Sequence, residues 1–315
     1  MTPSARTTLS ARRFANDERC RFRSTVCSGV RVVARLTARC NFRCPHCLAA
    51  ASPQLPIDTL AVESWCTILR ELPEIGAVKL LLTGGEPLLF PGLVKLTSYV
   101  SGLGISTDLN SNLWQLTPQL AAELVHAGLT EVSVSLQGPD VVHDAMHGQT
   151  GARRRLLWAV RLFQDAGIPV DGSLCVTPAN LVHVLSTIQE AADLRLASFT
   201  VSACLPHGHG RRSRGDLVPP PVLAGLHRRI GAARQEGLGL PVRCVGLLGP
   251  PHLSDCGLGD TIIGVLPSGA ITPCPLSGEP IGSVSPLESG LREAVGVMRE
   301  EMVHRPRRLC RQGKE

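Results

Sequence analysis

Aromatic residues make up just 3% of this 315-residue chain, and Lys79, Lys95 and Lys314 are its lysines. With so few rings there is little surface on which bases could stack, so the formal net charge of +6 does not signal nucleic-acid binding and none is expected. The arginines are scattered, with local runs at Arg153-Arg154-Arg155 and Arg211-Arg212-Ser213-Arg214 that suit solvated helix faces or contacts to an anionic or peptidic substrate. No apolar stretch approaches the roughly eighteen residues that a membrane span requires, so no membrane association is expected. Residues 1–28 are rich in arginine but lack the apolar core of a secretion signal. They are expected to form an N-terminal extension, mobile or acting as a lid strand. What the chain does hold is cysteine. Twelve cysteines without a signal segment point to metal ligation in a reducing cytoplasm, and away from a disulfide framework.

Three of them, Cys40, Cys44 and Cys47, fall in the run Cys40-Asn41-Phe42-Arg43-Cys44-Pro45-His46-Cys47. A short loop with this spacing can wrap one face of an iron–sulfur cube and leave one iron without a protein ligand, unlike the four-thiolate clusters of electron transfer. By itself the triplet also fits a zinc site short of a ligand, because Cys-x2-Cys is common to both.

The segment Ala77-Val78-Lys79-Leu80-Leu81-Leu82 has the apolar continuity of a buried strand and ends in Thr83-Gly84-Gly85-Glu86-Pro87. A cysteine triplet after a first strand, with Gly-Gly-Glu-Pro closing the second, resembles the radical S-adenosylmethionine (SAM) enzymes. The resemblance covers roughly residues 29 to 210. It implies that Cys40, Cys44 and Cys47 hold a [4Fe–4S] cluster whose open iron is chelated by SAM. Reductive cleavage of SAM would then give a 5′-deoxyadenosyl radical that takes hydrogen from an unactivated carbon. The resemblance also places His46 beside the adenine, and Gly84, Gly85 and Glu86 at the SAM amino group, with glycines where backbone must come close to a ligand. Asn110, in Leu109-Asn110-Ser111-Asn112, becomes the ribose-side candidate. Ser135 matches the family's Ser-Leu-Asp-Gly strand end, with Gln137 in place of the aspartate.

Strand-like runs at 30–36, 77–82, 105–110, 132–136, 170–176 and 198–205 alternate with helical periodicity, such as Trp65, Ile68, Leu69 and Leu72 on one face. The expected fold is α/β. A partial (β/α)6 TIM-like barrel should span residues 29–215, and a small C-terminal α+β iron–sulfur domain residues 216–315, with Pro219-Pro220-Pro221 at the boundary. All the motifs fall at strand carboxyl ends, where parallel barrels bind ligands. After the sixth strand His209 stands where many family members carry arginine, and a loop role is expected for it.

Cys256, Gly269 and Cys274 have the spacing of the family's short "twitch" form of the SPASM extension. The turn signal Pro267-Ser268-Gly269 should make a hairpin there. The resemblance implies a second, auxiliary [4Fe–4S] cluster on Cys256, Cys274 and Cys310, with a fourth ligand from Cys244, Cys204, a non-cysteine group or substrate. A leftover thiol, Cys244 or Cys204, is the candidate hydrogen donor for an epimerisation, and dehydrogenation through the auxiliary cluster is the runner-up. Cys20, Cys27, Cys66 and Cys175 are taken as structural. The resemblance implies a small-molecule substrate of the sugar or aminocyclitol type in antibiotic biosynthesis, or else a ribosomally made peptide. The reductant would be of the flavodoxin or ferredoxin type.

Overall fold

The computed structural model describes residues 29–55, 60–211, 217–248, 261–274 and 285–304. Its framework is one nine-stranded sheet in the order β7-β6-β5-β4-β3-β2-β1-β8-β9. Strands β1 (Val30–Arg35), β2 (Ala77–Thr83), β3 (Ser106–Asn110), β4 (Glu131–Ser135), β5 (Val170–Val176) and β6 (Ser198–Ala203) are parallel neighbours in chain order. Helices α1 (Val62–Leu69), α2 (Leu93–Gly102), α3 (Pro118–His126), α4 (Asp140–His147), α5 (Ala152–Asp165) and α6 (Val184–Asp193) cross between them. This is the mixed α/β partial barrel expected, and each of the six anticipated strands is present within a residue or two of its bounds.

Alternation along the strands divides the barrel into two faces. Val32, Ala34, Leu80, Leu82, Leu109, Val132, Val134, Leu174, Phe199 and Val201 point outward into the helix layer and are buried there, with Trp65, Ile68, Leu96 and Phe163 packed over them. Truncating any one of the buried leucines to alanine should cost about 2–5 kcal/mol, because so close-packed a layer cannot collapse into the void. The opposite parity, Lys79, Asp108, Ser133, Asp171, Ser173, Ser198, Thr200 and Ser202, faces the concave lumen and is polar.

Expected and observed organisation differ past residue 215. The triple proline opens a helix: Pro219 is the N-cap of α7 (Pro220–Glu236), and prolines occupy its first turn, where a missing amide costs nothing. Strand β7 (Val242–Val245) then pairs in parallel with β6, so the β/α alternation runs one unit beyond the six that were anticipated. The anticipated hairpin is there, as β8 (Ile262–Val265) and β9 (Ile271–Thr272). However, β8 also pairs in parallel with β1, so the hairpin extends the barrel sheet. Helix α8 (Leu291–His304) buries Leu291, Ala294, Val295 and Met298 in the same core. Burial, then the charge of Arg31 on β1, lowers the pKa of Arg243 on β7.

The Arg153-Arg154-Arg155 run is mainly structural. Arg153 ion-pairs with Asp140 of α4 and Glu190 of α6, while Arg155 lies 4.0 Å over the Trp158 ring and donates to the Trp114 carbonyl at 3.1 Å.

Candidate functional site

The loop after β1 carries Cys40, Cys44 and Cys47 and is held from four sides. The Cys40 amide donates to the Ser52 carbonyl at 3.2 Å, closing the loop on itself. Phe42 is buried, 5.9 Å edge-on from Trp114 and 5.5 Å from His147. From β2, the Gly85 amide donates to Thr37 O at 2.6 Å and the Glu86 amide to Arg39 O at 2.9 Å. From the segment after β6, the His209 amide donates to Cys47 O at 2.9 Å, and its ring Nδ1 lies 3.1 Å from Cys44 O.

The two glycines therefore serve a structural purpose beside the place at SAM expected for them. A Cβ on Gly84 would lie 2.5 Å from Thr37 O, and one on Gly85 would overlap the Arg39 carbonyl. Gly84 also has φ of +141°. What approaches these glycines is the backbone leading into the cysteine loop, so any alanine here would push that loop outward.

Glu86 is fully buried, and three donors meet its carboxylate: Ser111 Oγ at 2.6 Å, the Asn112 amide at 2.9 Å and the Leu88 amide at 3.0 Å. Burial lifts its carboxyl to about 7 although all three hydrogen bonds pull the other way. Glu86 thus fixes the turn after β3, from which Asn112 Nδ2 donates to Asn41 Oδ1 at 2.8 Å and lies 4.0 Å from Cys40 Sγ. Ser111 and Asn112 are site residues that the sequence reading passed over in favour of Asn110. The signal was the unbroken polar run after the strand. Asn110 itself is exposed at the carboxyl end of β3, and Ser135 is half-buried at the end of β4.

A cavity of about 320 Å³ opens beside the cysteine loop, lined by Pro45, His46, Met146, Thr177, Cys204 and Leu217 among others. His46 Nδ1 is buried with no hydrogen-bond partner, and burial, then His147, lowers its pKa to about 4. Gln137, at the position of the family's aspartate, is buried and its side-chain Oε1 accepts from the Cys175 backbone amide at 3.0 Å, while its backbone N–H donates to His143 Nδ1 at 3.2 Å. In place of a carboxylate at the site it provides a tie between β4 and β5.

The remaining cysteines separate by face. Cys244 is in register with the outward-facing Val201, and its sulfur lies 3.5 Å from Arg234 Nη2 of α7. It faces the helix layer, away from the lumen, so a role as hydrogen donor or fourth cluster ligand has to be met from that side. Cys204 and Cys175 face the lumen, and Cys175 is no longer a residue to set aside as structural. Cys274 is buried just past β9, whereas Cys256 and Cys310 lie outside the described residues.

The donor set fits a cluster. Burial pushes the Cys40 thiol up to about 12 and raises Cys44 as well, and the neighbouring sulfurs add to both. Cys40 and Cys44 are thus costly to ionise until a metal centre compensates them, and metal coordination deprotonates thiols outright. The Phe42 amide, 3.4 Å from Cys40 Sγ, supplies the hydrogen bonding to sulfur that tunes bound clusters. Among the described residues no three His, Cys, Asp or Glu side chains converge on a single ion. In a cube each thiolate binds its own iron, so no such convergence is needed.

A profile described as the radical SAM superfamily matches residues 35–191. The PqqA peptide cyclase of Gluconobacter oxydans is 30% identical over 254 residues, covering 77% of this chain and 69% of that protein. The chain belongs to the radical SAM superfamily. Its cofactors are accordingly a [4Fe–4S] cluster and SAM. An AdoMet-dependent heme synthase of Methanosarcina barkeri is 32% identical over 186 residues, which are 59% of this chain and 53% of that protein. The chain thus spans about half the length of that relative. Among solved structures, Streptococcus suis SuiB bound to precursor peptide SuiA superposes with a TM-score of 0.72 at 16% identity, covering 84% of this chain and 64% of SuiB. That likeness shows the fold. No helix among the described residues is long and apolar enough to cross a membrane.

Proposed function

We propose that this protein is a peptide-modifying radical SAM enzyme, which makes or alters a bond at a carbon of a ribosomally made peptide. The observation that carries this reading is the length of the similarity to PqqA peptide cyclases. It extends well past the shared cluster-binding part, over 77–79% of the chain, whereas the match to the heme synthase covers 59%. The sugar or aminocyclitol substrate favoured by the sequence gives way to the peptide on this ground.

When bound, the cluster and SAM supply a 5′-deoxyadenosyl radical. Cys40, Cys44 and Cys47 would hold the cluster, and the backbone clamp from Gly85, Glu86 and His209 would fix where its open iron faces. His46 and Thr177, on the cavity wall, would border the adenosyl end of SAM, with the unpartnered His46 Nδ1 available to a donor. Asn110 and Ser135, at neighbouring strand ends, are the candidates for its polar groups. The apolar character of Pro45, Met146 and Leu217 would keep water from the reacting carbon. Cys274, together with Cys256 and Cys310, is proposed for an auxiliary cluster. A thiol on the lumen wall favours epimerisation, in which hydrogen returns from the face opposite its removal.

Anaerobically reconstituted protein with SAM and dithionite should form 5′-deoxyadenosine, and a peptide encoded beside its gene should raise that rate. Stimulation by aminocyclitols, with no peptide effective, would reinstate the sugar reading.

A further inference from the structure

Two sulfurs outside the cysteine loop stand at the carboxyl ends of β5 and β6. Cys175 is in phase with Asp171 and Ser173, and Cys204 with Thr200 and Ser202, so both project into the lumen. The register pairs Cys175 with Ser202, and the Cys204 amide continues the ladder to Val176 O at 3.3 Å. Cys204 acts on the Cys175 thiol more strongly than any other group does, and neither is in a disulfide. Cys204 lines the cavity beside His46, and Thr177, two residues beyond Cys175, lines it too.

The backbone that carries Cys175 is fixed. Its amide donates to Gln137 Oε1, and its carbonyl accepts from Asn180 Nδ2 at 2.9 Å, Asn180 being fully buried. An interaction in which the Cys175 S–H points to Cys204, and burial after it, raise the Cys175 pKa and keep it a protonated thiol. A thiol so held is a poor nucleophile, since the thiolate is the reactive form. It retains the weak S–H bond that a carbon radical can break.

Resting on the radical SAM reading above, we propose that Cys175 and Cys204 form a single two-thiol hydrogen-donor unit of the cavity. Cys204 gives a hydrogen atom to a carbon radical held there, and Cys175 refills Cys204. In the first step the Cys204 S–H bond breaks, a C–H bond forms, and one odd electron remains on the Cys204 sulfur. In the second the Cys175 S–H bond breaks, its hydrogen moves to Cys204, and the odd electron passes to Cys175. One electron from a low-potential one-electron carrier and one proton from solvent restore the Cys175 thiol. Adjacent strands are spaced about 4.8 Å apart. That displacement takes the odd electron away from the new C–H bond and suppresses the reverse transfer.

Two measurements test this. The metal-free protein, oxidised with diamide and peptide-mapped, should yield a Cys175–Cys204 disulfide that dithiothreitol reopens. Recovery of either cysteine free, or paired elsewhere, would overturn the pairing. The reconstituted protein, given SAM and dithionite in deuterium oxide with no substrate, should release 5′-deoxyadenosine carrying one deuterium from an exchanged thiol. Cys204→Ala should bring the label to background, and so should Cys204→Ser, which keeps the volume but has no weak S–H bond. Cys175→Ala should keep the label in the first turnover and slow later turnovers severalfold, while Cys66→Ala on α1 serves as the control. Unlabelled 5′-deoxyadenosine from the unmodified chain would sink the donor role and leave the radical SAM reading standing. If no 5′-deoxyadenosine forms, that reading fails, and the disulfide mapping still decides whether the thiols act as a pair.

Discussion

The two ends of the barrel lumen are built from different chemistry. At the amino ends of the strands the lumen wall is ionic: Lys79 Nζ lies 2.8 Å from Glu131 Oε1 and 3.6 Å from Asp108 Oδ2, and Ser133 and Ser198 donate to Asp108 and Asp171. At the carboxyl ends Arg35 of β1 is the lumen-side charge and the rest is rich in sulfur and neutral polar groups, with Cys175, Cys204, Ser135 and Asn110 at strand ends and Met146 on the cavity wall. Charge at the first end is matched within the protein, so that end has little left to offer a ligand. The second end keeps polar atoms without protein partners, His46 Nδ1 among them, and this is where binding and chemistry can occur.

The sharpest way to break the comparison is to empty one end. Replacing Cys40, Cys44 and Cys47 together by alanine should abolish 5′-deoxyadenosine formation while circular dichroism shows the barrel still folded. Iron that survives in that variant would belong to an auxiliary site. At the other end Lys79→Ala should leave the buried Asp108 and the half-buried Glu131 without their cation and cost up to about 3 kcal/mol of unfolding free energy, measured by urea titration. Its effect on bound iron should be small by comparison. Gly85→Ala should join the two effects, lowering stability by about 1–3 kcal/mol through the clash with Arg39 and loosening the cysteine loop so that iron content falls with it.

A smaller effect follows from pH. Burial raises Asp171 to about 7 and Asp108 to about 6, in each case helped by the negative charge of Glu131 and, for Asp108, opposed by Lys79. The folded chain thus keeps protons that the unfolded chain releases near pH 4, and stability present at acid pH is lost as pH rises toward 7. The urea midpoint should fall between pH 5 and pH 8, and Asp171→Asn should flatten that slope. If the slope stays unchanged in the variant, the ionic end does not titrate as described. The smallest effect is expected from Cys244→Ala, which should leave SAM cleavage intact because the side chain faces α7. A large loss there would erase the distinction drawn between outward and lumen cysteines.

Much of the site could be read in the chain because the chemistry demands residue types at short spacing. Cys40, Cys44 and Cys47 lie within eight residues, and Gly84-Gly85-Glu86 ends a strand whose apolar run is plain. The position of Cys244 was harder to read, since its face depends on a seventh strand only four residues long that Pro219-Pro220-Pro221 seemed to place in another domain. The partnership of Cys175 with Cys204 was invisible for a similar reason. The two residues are 29 positions apart in sequence, and only the pairing of β5 with β6 sets them at neighbouring strand ends.

By itself the sequence determined the α/β alternation, the cysteine loop and the placement of its supports at strand ends, because periodicity and local spacing are written residue by residue. The tertiary structure alone decided that the glycines clear space for the protein's own backbone, that the terminal hairpin joins the barrel sheet, and which sulfurs face the lumen. Each of these depends on strand pairing between distant segments, which costs chain entropy to assemble and leaves no local mark in the sequence.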